Sequence, residues 1–297
     1  MSKKTNETEV VKHHLIQRRK PNRSVAGDIG VYIFLLLVGI AMVFPLVFAI
    51  NMSLKPLDEL FMFPPKVFAR NPTLDNFADL FVNMSKSTVA FSRYMFNTVF
   101  ITAVGTAGHL LFASMGAFVL AKYQFPGNQT FFKLVTTAMM FTGYVTQIPN
   151  YIIISKLGWV DTFWACIIPA FAFPMGFFLM KQFMEGLPST LIEAAKIDGA
   201  SEWKVFTKIV MPNVKPAWLT MIIYSVQALW NNQQSTFIFS EEKKTLVYAL
   251  SQIMGGGVAR TGQAQAVLII VIAVPITIFM FTESQILETM ASSGLKD

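Results

Sequence analysis

The chain has 297 residues, 54% hydrophobic and only 14% charged, where a soluble domain carries about a quarter charged residues. That composition excludes an ordinary water-soluble domain and points to lipid as the solvent around most of the chain. The net charge is +7, and the single cysteine, Cys166, excludes an intrachain disulfide framework; no CxxC or Cys/His cluster is present to hold zinc.

Taken in order, residues 1–28 form a polar tail with seven Lys and Arg. Six runs without Asp, Glu, Lys or Arg follow: Ile29–Leu54, Tyr94–Ala121, Leu134–Ser155, Thr162–Met180, Pro216–Ser240 and Thr261–Thr282, of 26, 28, 22, 19, 25 and 22 residues. Each can hold the ~20 residues that a helix needs to cross the bilayer core, so six transmembrane helices are predicted. Placing the N-terminus inside puts 15 of the 24 Lys and Arg on the cytoplasmic side, which predicts both termini cytoplasmic. The basic tail is therefore read as a topology signal, not a nucleic-acid site, and residues 29–297 as the membrane domain that it precedes.

Between the runs, the segment Lys55–Arg93 mixes prolines, aromatics and paired charges, which predicts an ordered external cap. The segment Lys181–Lys215 is far longer than a turn between helices requires, and is the first place to look for function. Thr190 with Glu193 reads as a capping box. Gly199 suits the left-handed residue that ends a helix, Ser201 can cap a second helix, and Pro212 is expected to stop it. Trp203, Phe206 and Val210 share one side at helical spacing.

Glu193-Ala194-Ala195, then Gly199, Ile209 and Met211-Pro212, resemble the E-A-A-x3-G-x9-I-x-L-P loop of binding-protein-dependent ABC importer permeases, with Met211 in place of the usual Leu. Ala121-Lys122-Tyr123-Gln124-Phe125-Pro126-Gly127 is similar to a turn of the carbohydrate branch, as are Leu187-Pro188, Trp230-Asn231 and the C-terminal tail. The resemblance is to oligosaccharide permeases of the maltose type. It implies an all-α integral membrane protein with the type I importer permease fold, in the bacterial cytoplasmic membrane. It also implies a homologous second permease, two ATPase subunits and an extracellular or periplasmic solute-binding protein as partners. No cofactor would be bound by this chain; ATP and Mg would be used by the ATPases. The coupling residues implied are Glu193, Ala194, Ala195, Asp198, Gly199, Ser201, Ile209 and Pro212.

The chain has no Walker A motif of its own: Gly257-Val-Ala-Arg-Thr-Gly262 lacks the Lys-Ser/Thr that must follow. No Asp, Glu, Lys or Arg stands mid-span to carry a proton. Neutral hydrogen-bonding groups suit a neutral sugar, and Asn97, His109, Gln147, Asn231 and Asn232 are candidates for its path. His109 equally suits an interhelical hydrogen bond, and Asn231 and Asn232 equally suit the end of a helix. An ABC permease for a non-sugar solute and a stand-alone secondary carrier are the alternatives. A membrane enzyme lacks the necessary parts, with no HExxH, GxGD or paired intramembrane carboxylates.

Overall fold

A computed structural model of the chain describes residues 25–64, 66, 68–85, 89–141, 143–232, 236–254 and 261–294. The basic tail up to residue 24, the Gly255–Gly257 loop and the last three residues lie outside the described residues. Those that are described contain helices and turns but no strand. The chain divides into two compact units, residues 1–48 and 49–297. In the first unit the described part is the beginning of α1 (Val25–Ser53), whose consecutive apolar residues from Tyr32 to Leu37 are all exposed. A helix apolar on every side suits a lipid environment.

In the second unit, α4 (Phe91–Lys122) is the axis. Its buried residues recur every three or four positions, from Tyr94 through Ile101, Gly105, His109 and Ala113 to Ala117, the period of one helix face. Three apolar clusters are strung along that face. Tyr94 packs with Leu246 and Leu250 of α13 (Leu246–Met254) and Ala266 of α14 (Thr261–Gly294). Ile101 packs with Ile167 of α7 (Trp164–Ala170) and Leu229 of α12 (Lys215–Trp230). Ala113 and Ala117 pack with Met180 and Met184 of α8 (Pro174–Glu185). Close approach is required on this face: a Cβ on Gly105 would stand 2.6 Å from Leu229 Cδ1, and one on Gly108 would overlap the Phe171 ring.

Four of the six charge-free windows hold helical stretches long and apolar enough to cross a membrane: Gly27–Ser53, Phe91–Lys122, Trp164–Glu185 and Thr261–Ser284. The third window is divided between α5 (Asn128–Ala138) and α6 (Gly143–Lys156). In the fifth, α12 spans 16 residues and ends at Trp230, where Asn231 caps it. A charge count measures the cost of insertion and is blind to such breaks.

The Tyr94 end of α4 is tied down by polar bonds. Asn97 Nδ2 donates to the carbonyls of Glu242 at 2.8 Å and Lys244 at 2.9 Å, and Tyr94 Oη donates to Glu241 at 2.8 Å. The same strip is clasped from the turn before α7 by Asp161, which adopts φ 58°. Its carboxylate accepts from the amides of Phe239 at 3.0 Å and Ser240 at 2.9 Å, from the Ser240 hydroxyl, and from Lys243 Nζ at 3.1 Å. Burial pulls the Asp161 carboxyl upward, but these donors outweigh it and hold the group well below the usual carboxylate range. Within the segment expected to be an ordered cap lie α2 (Leu57–Leu60) and α3 (Asp75–Ser85). Glu59 accepts the amides of Arg70 and Asn71, and Asn76 Nδ2 donates to the carbonyls of Ser53 and Lys55.

Two outcomes are expected. Gly176→Ala places a methyl against the His109 ring and 2.8 Å from Met221 Cγ, and costs about 1–3 kcal/mol of overpacking, read as a lower thermal midpoint in detergent. The depressed Asp161 carboxyl makes the clasp present above its ordinary value of 3.8, lost only as pH falls through the lower folded value. Amide exchange at Phe239 and Ser240, corrected for intrinsic rates, is therefore expected to stay slow from about pH 5 to 8. Asp161→Asn keeps an acceptor but loses the charge, and should speed exchange at both amides about tenfold.

Candidate functional site

The long loop after α8 folds as helix, turn and helix. Its first helix, α9 (Ser189–Ile197), starts one residue before the expected cap: Pro188 is the N-cap and makes no side-chain bond. Proline has no N–H to satisfy and a fixed φ that suits the helix start, so Thr190 lies inside the helix and the capping box does not form. Glu193 is thereby relieved of a capping role. It is exposed together with Ala194 and Asp198, and Ile197 is 87% exposed. Ala195 and Ile192 face the core.

Gly199 has φ 76°, as the sequence predicts. The Gly199 amide donates to Lys196 O at 3.0 Å and the Ala200 amide to Ala195 O at 2.9 Å, the paired bonds of a Schellman ending. Ser201 caps α10 (Glu202–Val205), its Oγ accepting the Lys204 amide at 3.4 Å. Pro212 does not stop the helical path. A π-turn over Phe206–Val210 widens the helix and leads into α11 (Met211–Asn213), where Pro212 occupies the first turn and needs no N–H partner. The path bends at Val214, before α12. Phe206 and Val210 are buried and Ile209 packs on the same core, whereas Trp203 is 57% exposed and only touches the Phe206 ring.

Sequence reasoning missed a polar knot beside this loop. Lys196 Nζ pairs with Glu202 Oε1 at 2.7 Å. Tyr123 Oη donates to the other Glu202 oxygen and accepts from Lys196 Nζ at 3.3 Å. The bonds from Lys196 and Tyr123 lower the Glu202 carboxyl, and those to Glu202 and Tyr123 raise the Lys196 ammonium. Burial, then Glu202, pushes the Tyr123 phenol up. Each residue type is ordinary on a surface, so no local signal could have announced the knot.

Beside Phe112 and Ala113 of α4 lies an open groove of about 1100 Å³. Its walls carry aromatic rings, including Phe112, Tyr144, Phe177 and Tyr224, and its polar groups include the neutral side chains of Thr146, Gln147, Asn150, Asn232 and Thr236; among the described residues no lining side chain is charged. Gln147 Nε2 donates to Thr236 Oγ1 at 2.9 Å. Of the five residues considered for a sugar path, Gln147 and Asn232 line this groove and Asn231 stands exposed at the end of α12. Asn97 and His109 do not reach it. Both are fully buried and already engaged, Asn97 with the backbone near Glu242 and His109 with Ser225 Oγ and Phe173 O.

Known proteins share this architecture. LplC of Bacillus subtilis is 36% identical over 74% of this chain and 71% of its own. The arabinooligosaccharides transport system permease protein AraQ of Halalkalibacterium halodurans is 35% identical over 64% and 67%. The polygalacturonan/rhamnogalacturonan transport system permease protein YtcP of Bacillus subtilis is 30% identical over 71% and 72%. Among solved structures, a chain of a bacterial ABC transporter involved in the import of the acidic polysaccharide alginate superposes with a TM-score of 0.73. It is 21% identical, over 89% of this chain and 99% of that one, and so shares the fold. Residues 29–289 match the family model, and the chain belongs to the binding-protein-dependent transport system inner membrane components.

Proposed function

We propose that this chain is the permease subunit of an ATP-driven importer that carries an oligosaccharide across the bacterial cytoplasmic membrane into the cell. The lining of the groove supports the sugar most directly. Ring faces cover the C–H faces of a pyranose, while neutral amides and hydroxyls exchange hydrogen bonds with its hydroxyls. A uronide would meet no counter-charge there, which favours a neutral sugar. Gln147, Asn232 and the nearby Asn231 are the path residues of this reading. The relatives named for polygalacturonan/rhamnogalacturonan and for arabinooligosaccharides support a saccharide as the cargo.

In this reading residues 29–297 make six crossings with both termini cytoplasmic, two of them completed by the α5–α6 pair and by α12 with the chain beyond it. The partners are a homologous permease, two ATPases and a solute-binding protein. The outward residues of α9 (Glu193, Ala194 and Asp198) enter an ATPase cleft, with Glu193 pairing a basic group. Ala195, Gly199, Ser201, Ile209 and Pro212 hold the shape of the loop. Driving a two-state transporter from 1:99 to 99:1 takes about 5.5 kcal/mol of differential interaction, so the loop must keep hold of its partner in both states.

The first test is mild-detergent purification of the tagged chain from its native membrane, with mass spectrometry, an ATPase assay and arabino-, galacto- and galacturono-oligosaccharides as stimulants. Recovery of a second permease and an ATPase, with hydrolysis stimulated by a neutral oligosaccharide and the binding protein, is expected. A homo-oligomer without ATPase, confirmed by crosslinking in intact membranes, would overturn the importer. Gly199→Leu forces a side chain into the left-handed conformation at about 1–2 kcal/mol. Insertion should remain intact while uptake driven by ATP hydrolysis is lost; normal uptake by that variant would contradict the role given to the turn.

A further inference from the structure

Two consecutive residues where α4 ends hold α9 at both of its ends. Lys122 Nζ donates to the carbonyl of Leu187, two residues before α9 begins. Tyr123 reaches the other end: its hydroxyl bonds Glu202 and Lys196, and its ring lies 5.0 Å from the Lys196 ammonium. Lys196 is in the last turn of α9, and Glu202 opens α10 just beyond the Gly199 turn.

The loop helix also packs through Ile192 and Ala195 on the core that holds Ala113, Ala117 and Phe118 of α4, whereas the covalent routes out of the loop are interrupted. On one side the chain passes through Gly186-Leu187-Pro188; on the other it runs through the π-turn and the bend at Val214. By contrast, α4 is an unbroken helix of 32 residues without proline. It also carries two walls of the groove, Phe112 and Ala113, and bonds α12 through His109 and Ser225. Most of the other walls stand on interrupted elements, with α5 broken from α6 and α7 from α8, while Tyr224 stands on α12. The bracket, with the apolar packing beneath it, joins α9 directly to a helix that reaches the groove.

We propose that Lys122 and Tyr123 are positioning residues that make α4 follow the loop helix, so that movement of α9 reaches the groove through one rigid helix. This rests on the importer reading above. Neither residue touches the cargo or the ATPase in this scheme; they act by holding Leu187, Lys196 and Glu202. The Tyr123 hydroxyl is the part that can be removed without disturbing packing, because its ring also contacts Phe118 edge-on at 5.6 Å.

The experiment compares wild-type, Tyr123→Phe, Lys196→Met and Lys196→Arg complexes, purified with their partners and reconstituted in vesicles. The probe is whichever radiolabelled oligosaccharide of the panel stimulates the wild type most. Subunit recovery, hydrolysis without sugar, and sugar moved per ATP hydrolysed are measured. Tyr123→Phe is expected to assemble fully and to hydrolyse ATP within about twofold of wild type, while sugar moved per ATP falls about fivefold. Lys196→Arg keeps both bonds and should stay near wild type. An unchanged ratio in Tyr123→Phe would overturn the proposal. Should that variant fail to assemble, the ratio is read on Lys196→Met, where an unchanged value overturns it equally. Failure of the importer reading is distinguishable, since the wild-type complex itself would then show no sugar-dependent hydrolysis.

Discussion

A polar side chain buried within a membrane protein has no water to turn to, and the bond that answers this constraint most tightly is the one made by His109. Phe173 O can only accept, so Nε2 carries the ring proton, and Nδ1 accepts from the Ser225 hydroxyl. One imidazole thereby joins α4 to α12 and to the break between α7 and α8. The ring needs room, and Gly176 provides it by having no side chain where a Cβ would strike the imidazole. The distances between three helices are set at this layer, and the apolar clusters on either side pack to fit it.

The two ends of α4 are finished differently. At the Tyr94 end, Asn97 and Asp161 pin one strip of chain by bonds to its backbone, and Tyr94 adds a bond to the Glu241 side chain. At the Lys122 end the ties run to the two ends of α9, so that end is fixed only relative to the loop helix. The groove lies between the two ends. An element anchored firmly at one end and adjustably at the other is suited to pivot, which an alternating-access path requires.

Much of this was legible in the residues. Charge-free length located the four long apolar helical stretches found among the described residues, and the Glu193–Pro212 spacing identified the loop and its family, because those features are local and their physics acts over one or two turns. The Gly199 turn and the Ser201 cap were readable for the same reason. What failed was also local, but finely balanced: Pro188 competes with Thr190 to begin α9, and a π-turn lets the helix run on through Pro212. What was invisible was relational. Nothing near Asp161 announces that it will collect donors from residues 239–243, nor does Tyr123 reveal that Lys196 and Glu202 will meet it across more than seventy residues. That uncharged hydrogen-bonding groups stand in the spans was readable, yet only the fold shows Gln147 and Asn232 lining one groove and Asn97 and His109 engaged elsewhere.

Ile197, 87% exposed at the end of α9, carries a consequence for the life of the chain before it finds company. Covering a side chain of that size is worth about 1.5–3 kcal/mol, and a subunit made alone must do without it. Whatever covers Ile197 stabilises the folded chain by mass action, in proportion to its own abundance. The cellular level of this protein should therefore track the supply of that companion, with surplus copies the first to be cleared by proteases.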